Sequence, residues 1–125
     1  MVNNQRIKRI GTLDRRVIEL LGLSMAEGLP ILIGDQNIAH MKKAHPEDYA
    51  QYGHKIEEIL SSPTYVAKHP RKSSIEYVKV YEVENDYVLV AVWASGRGVL
   101  FARTLFVMSN KKIKKYFSKN AFKRY

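Results

Sequence analysis

The hydrophobic period of this chain changes once, just past residue 62, and that change constrains its fold more than any other feature. Before it, apolar residues recur three and four apart: Leu13, Val17, Leu20 and Leu21, then Ile38 and Met41, then Tyr49, Tyr52, Ile56, Ile59 and Leu60. That spacing puts one stripe of a helix against a core. After it, residues 74–83, 87–94 and 99–108 are runs rich in Val, Tyr, Phe and Leu, with a shorter run at 64–67. Such runs, bounded by turn residues, read as strands. Glu84-Asn-Asp-Tyr87 and Ser95-Gly-Arg-Gly98 read as hairpin turns between them. Helices followed by an antiparallel meander predict an α+β fold, with N-terminal helices packed on an antiparallel sheet.

The punctuation agrees. Thr12 can cap the first helix, and Gly22 and Gly28-Leu-Pro30 end that unit. Ile31-Leu-Ile33 is a short apolar run, read as one small strand. Asp35 can cap the next helix, which Pro46 stops, because a residue before proline avoids the α region. Pro46-Glu-Asp then opens a further helix, its acidic residues suiting the positive end, and Ser61-Ser-Pro63 closes it. Ser109 can cap a last, basic helix over residues 110–119, with Ile113, Tyr116 and Phe117 docking it. The whole chain, 1–125, is long enough for one domain with its own core.

Charge narrows the function. Lys and Arg number 21 against 12 Asp and Glu, a net charge of +9. The stretch 87–125 holds no acid, yet carries Arg97, Arg103, Lys111, Lys112, Lys114, Lys115, Lys119, Lys123 and Arg124. A field of one sign attracts a polyanion, and nucleic acid is the commonest. The chain has no cysteine, which excludes disulfides and thiol catalysis. No apolar run approaches a membrane span, and no signal-peptide core opens the chain. The expectation is a cytoplasmic protein that binds nucleic acid and no membrane.

Arg103 is out of place within the apolar run Val99-Leu-Phe-Ala-Arg-Thr-Leu-Phe-Val-Met108. A cation there must be paired or must face a cleft. Two-residue loops at Asn85-Asp86 and Gly96-Arg97 would pair Tyr81 with Val90 and Val90 with Arg103. One face would then hold Tyr77, Lys79, Tyr81, Val90, Val92, Phe101 and Arg103. The other would hold Val78, Val80, Leu89, Ala91, Trp93, Leu100, Ala102, Thr104 and Phe106, and, being more apolar, would cover the helices. The first face mixes cations with phenols, a composition suited to phosphates and stacked bases, with Tyr77, Tyr81 and Arg97 as binding candidates beside Lys111, Lys112 and Lys115. A solvated face with snorkelling Lys and Tyr would read the same way.

Four histidines, His40, His45, His54 and His69, fall within 30 residues. No HExxH, cysteine pair or carboxylate-rich triad accompanies them, so neither a metal site nor a cofactor is expected. Metal-free RNA cleavage needs a base for the 2′-hydroxyl, an acid for the 5′-oxygen and cations for the phosphorane, which His, Lys and Arg can supply. His45 continues the stripe of Ile38 and Met41, which also fits a packed core histidine, and His40 lies on the more polar side. Five residues apart, they differ by about 140° around an ideal helix, so one phosphate meets both only if the break at Pro46 swings His45 round.

The segment Ile33-Gly-Asp-Gln-Asn-Ile-Ala-His40-Met-Lys-Lys-Ala-His45-Pro-Glu-Asp-Tyr49-Ala-Gln-Tyr52 has a composite N-x-x-H-M-x-x-x-H-P-x-D-Y pattern. With Ile56-Glu-Glu-Ile59, Ser74-Ile-Glu-Tyr-Val-Lys79 and Phe101-Ala-Arg-Thr-Leu105, it resembles the phage-associated barnase–EndoU–colicin–RelE-like (PBECR) nuclease domains. The resemblance runs from about residue 28 to 125, leaving 1–27 as a short helical extension. It implies helices on a curved antiparallel sheet and metal-independent RNA cleavage, often by a toxin or phage effector. The matching catalytic positions would be His40, His45, Lys79, Arg103 and Thr104, although the turn arithmetic puts Thr104 on the opposite face from Arg103. The expected partners are RNA and an acidic antitoxin or host protein. The competing expectation is a catalytically silent, phage-encoded binder of RNA or of a host protein.

Overall fold

The computed structural model describes residues 6–69 and 71–125. Seven strands form one sheet in the order β1-β2-β6-β5-β4-β3-β7. In chain order these are β1 (Ile7–Thr12), β2 (Pro30–Gly34), β3 (Tyr65–Lys68), β4 (Ser74–Tyr81), β5 (Asp86–Ala94), β6 (Leu100–Val107) and β7 (Lys123–Arg124). The helices are α1 (Arg15–Leu21), α2 (Asp35–Ala44), α3 (Pro46–Tyr52), α4 (Ile56–Ser61) and α5 (Asn110–Ser118). The fold is α+β, as its pattern predicts, with a sheet antiparallel throughout except where β2 lies parallel to β6.

β4 and β5 are central and buried along most of their length, which suits their Val-rich sequences. The inner face of the sheet carries Ile75, Tyr77, Val88, Val90, Val92, Ala102 and Leu105. Leu13 and Val17 of the first helical segment, Met41 of α2 and Ile56, Ile59 and Leu60 of α4 pack onto it. Each such aliphatic side chain, fully buried, is worth roughly 1.5–3 kcal/mol. The outer face has its own smaller cluster: Val78, Leu89, Ala91, Met108 and Phe122, with Ile113 and Tyr116 of α5 against them. α5 thus covers only part of the outer face, and the part toward Trp93 stays open.

Several local expectations change. Residues 7–12 form an edge strand paired with β2, and Ile10 is buried, so this segment belongs to the sheet. Asp14, not Thr12, caps α1 by accepting from the Val17 amide at 2.9 Å. Gly34, not Asp35, is the N-cap of α2, and the Asn37 side chain accepts from the Gly34 amide at 2.8 Å. The helix expected from Pro46 to Leu60 is two helices joined by a 3-10 turn at Gly53–Lys55. A side chain at Gly53 would lie 2.8 Å from the Tyr49 ring, which explains why the closely packed turn falls on a glycine.

The largest correction concerns register. The β4–β5 loop spans residues 82–85, with Tyr81 opposite Asp86 and Tyr77 opposite Val90. The extra length is even, so Tyr77, Lys79 and Tyr81 still share a face with Val90 and Val92. That face covers the helices, however, rather than facing outward. The β5–β6 loop has three residues, 96–98, closed by Ser95 N–H donating to the Val99 carbonyl, with Gly98 left-handed at φ 73°. The odd length reverses β6: Ala102 opposes Val92 and Phe101 opposes Trp93. A β-bulge then follows, because Thr104 opposes Ala91 and Arg103 is the extra residue. Past it, Leu105 opposes Val90 and faces the core. Arg103 and Trp93 therefore share the outer face, contrary to the turn arithmetic.

Candidate active site

The bulge sets Arg103 and Thr104 side by side on one face, where a regular strand would send them to opposite faces. This removes the conflict between the resemblance, which pairs the two, and simple alternation. The Arg103 guanidinium carbon lies 5.3 Å from the Trp93 ring centroid. Arg103 is exposed and forms no ion pair among the described residues. A guanidinium held by a ring and free of carboxylates keeps its forked donors for an incoming anion.

Around this pair lies a cleft of about 580 Å³, lined by Gln36, Asn37, His40, Lys72, Trp93, Arg103 and Thr104. It continues toward the β5–β6 hairpin as a recess of about 290 Å³ that adds Ala94, Ser95 and Phe101. One wall is the polar side of α2. The cap at Gly34 and the buried Met41 fix that helix, which leaves His40 exposed toward the cleft. The other wall is the β3–β4 connection. There His69 Nδ1 accepts from the backbone amides of Arg71 at 3.1 Å and Lys72 at 3.2 Å, which shapes the turn and presents Lys72. Among the described residues, no carboxylate lines the cleft.

His45 is close but outside the lining. It sits between α2 and α3 with φ −140° and ψ 70°, so the break at Pro46 does turn it away from the α2 stripe. Its ring lies 5.4 Å from that of Phe106, two residues along β6 from Thr104. Lys112 stands over the same Phe106 ring, 4.7 Å from its centroid. Asp48 of the same pattern accepts from the Val107 amide at 2.9 Å, tying α3 to β6 beyond the bulge. Asn37, Met41 and Asp48 thus give the N-x-x-H-M-x-x-x-H-P-x-D-Y pattern a local structural logic.

The remaining predicted residues are elsewhere. Lys79 lies on the helix-covered face and donates from Nζ to the Ser62 carbonyl at 2.6 Å, holding the end of α4. Tyr81 donates to Glu58 at 2.6 Å, a bond that holds the Glu58 carboxyl below its ordinary value. Tyr77 is 1% exposed, and burial pushes its phenol well up, so it presents no face to a base. Arg97 is exposed in the β5–β6 loop beside Ser95 of the recess. Lys111, Lys112 and Lys115 line a separate basic groove of about 580 Å³ formed with Lys68, His69 and Arg71. Sequence reasoning missed Lys72 and misplaced Trp93. The signal for Lys72 was the basic cluster Lys68, His69, Arg71 and Lys72 ahead of the first long strand. Among the described residues there is no group of three His, Cys, Asp or Glu placed to hold a metal ion.

A sheet with helices on its inner face and a cationic cleft on its outer face is consistent with a barnase/RelE-like fold. Residues 8–115 match the phage-Barnase-EndoU-ColicinE5/D-RelE like nuclease 3 family, PBECR3, and the chain belongs to it. The match takes in β1 and α1 as well as the segment from residue 28. No curated protein and no solved structure matches the chain. No helix among the described residues is long and apolar enough to cross a membrane.

Proposed function

We propose that this protein is an endoribonuclease that cleaves RNA without a metal, by attack of the 2′-hydroxyl on the adjacent phosphodiester. The observation that carries the reading is the shared cleft of His40, Lys72, Arg103 and Thr104. The 2′-oxygen bonds to phosphorus, the bond to the 5′-oxygen breaks, and the products are a 2′,3′-cyclic phosphate and a 5′-hydroxyl. His40 moves the proton at the 2′-oxygen or at the 5′-oxygen. Arg103 and Lys72 offset the charge of the phosphorane, and Thr104 donates a hydrogen bond to a phosphate oxygen. Trp93 and Phe101 offer rings against which an unstacked base can lie. His45, beyond Phe106, is the reserve for the second proton transfer. A role as a toxin or phage effector fits the family name and this chemistry.

The test is incubation of the full chain with total RNA in EDTA, scoring 2′,3′-cyclic phosphate ends. Cleavage that requires an added divalent metal overturns the mechanism. RNA that is bound and left intact replaces it with a catalytically silent binder.

A further inference from the structure

The second basic groove has no role in the chemistry above. Lys68, Arg71, Lys111, Lys112, Lys115 and Lys119 line it, over a floor of Tyr116 and Ala121. None of these cations joins the ion pairs seen among the described residues, which are Lys8–Glu57, Arg15–Glu27 and Lys55–Glu58. Behind the lining residue Tyr116 lies Glu76, 4% exposed, which accepts from the Tyr116 hydroxyl at 2.7 Å. α5 is electrostatically awkward by itself. Lys111, Lys115 and Lys119 follow at four-residue spacing, where like charges on a helix repel. Lys111 and Lys112 occupy its first turn, the end that favours anions. A bound polyanion would relieve both strains.

The groove also neighbours the cleft, for Arg71 lines the one and Lys72 the other. Thr104, Ala91, Glu76 and Ala67 lie in one row across β6, β5, β4 and β3. Strands are about 4.8 Å apart, so Glu76, with Tyr116 above it, lies about 10 Å from Thr104. Six of its ten lining residues are Lys or Arg, unlike the charge-depleted centre of a protein–protein interface.

We infer that the groove is a second subsite for the substrate, holding the backbone of a single-stranded RNA a few nucleotides from the phosphate in the Arg103 cleft. This rests on the reading of that cleft as an RNA site. The occupant is single-stranded because only an unpaired strand can splay a base toward Trp93 while its backbone follows the face to α5.

The test uses the full chain and fluorescein-labelled 2′-O-methyl oligonucleotides, which resist 2′-hydroxyl attack. Affinity is measured against salt for a dinucleotide and for a strand of about twelve nucleotides. The long strand should bind at least roughly tenfold more tightly, with a steeper salt dependence. The triple variant Lys111→Gln, Lys115→Gln, Lys119→Gln, checked for folding by circular dichroism, should lose that gain. Its salt slope for the long strand should fall by about 2, the value for three phosphate contacts on a single strand. Arg103→Ala should instead weaken both lengths. A gain that survives the triple variant, or no gain in the parent, overturns the subsite. A duplex that binds as tightly as the single strand overturns its single-stranded character. Polyglutamate of matched charge that displaces the strand with equal affinity, through the same lysines, would give the groove to an acidic protein. These are binding readouts on an uncleavable strand, so a protein that fails to cut RNA leaves them unaffected.

Discussion

Arg103 stands over the ring of Trp93, its guanidinium carbon 5.3 Å from the centroid, although the two residues lie on different strands. Trp93 is the one tryptophan in the chain, so its emission reports from the cleft alone. Adding an uncleavable RNA strand should change that emission at saturation. Binding without any change would put the ligand elsewhere on the protein.

Replacing Arg103 by Ala should lower the cleavage rate by roughly 10²–10³, the loss seen when one strong phosphorane or oxyanion donor is removed. Because the side chain is exposed, the melting temperature should hardly move. Arg103→Lys should restore little, since an ammonium offers neither the fork nor the flat face that rests on Trp93. Full activity in Arg103→Lys would reduce this side chain to a general positive charge.

His40→Ala should cost roughly 10²–10⁴ in rate with folding intact. Lys79→Ala makes the contrast. Its ammonium holds the Ser62 carbonyl on the helix-covered side, so its loss should lower the urea midpoint and leave the rate per folded molecule unchanged. The opposite pattern in the two variants would exchange their roles.

Asp48→Ala strips the Val107 amide of its acceptor at a half-buried position and should destabilise the protein by about 1–3 kcal/mol. Asp48→Asn keeps an acceptor and should recover much of this. Equal loss in both variants would point to the charge of Asp48 at the start of α3 rather than to the hydrogen bond.

Burial pushes the Glu76 carboxyl up from its ordinary 4.5, while the Tyr116 hydroxyl, His69, Lys112 and Lys72 pull it down; burial prevails. A raised folded value means that the protonated group favours folding. Its contribution is complete below the ordinary value and is lost as pH rises through the raised one. The parent should therefore lose stability against Glu76→Gln as pH climbs from about 4.5 toward neutrality. Urea midpoints of the two proteins across that range give the comparison. A parent that gains on the variant with rising pH would show that the surrounding cations outweigh burial.

The fold was legible where period and punctuation agree. The switch near residue 62, the break at Pro46 and the second hairpin lie where the pattern puts them, while the first hairpin turns at 82–85, two residues early. β1 was hidden because Ile7-Lys-Arg-Ile10 buries only Ile10, too little alternation to register as a strand. β7, at two residues, is too short for any pattern. For the site, Arg103 announced itself as a cation in an apolar run, and His40 as the polar partner of Met41. Which face they share depended on one loop residue and one bulge residue. Neither leaves a trace in hydrophobic pattern, because Ala102, Arg103 and Thr104 tolerate either facing. Lys79 shows the converse: its strand face was rightly grouped, but which face met the helices turned on burying Tyr77, a residue as much apolar as polar.

The bulge gives β6 two phases, with even-numbered residues inward before it and odd-numbered ones inward after it. Deleting Arg103, the extra residue, would leave Ala102 opposite Val92 and Thr104 opposite Ala91 in one regular alternation. Leu105 and Val107 would stay inward opposite β5, so the loss would fall on the cleft and not on the core. The core is thus indifferent to the residue on which the cleft is built: a one-residue deletion at the bulge should abolish the site while sparing the fold, and the extra length of β6 belongs to the chemistry.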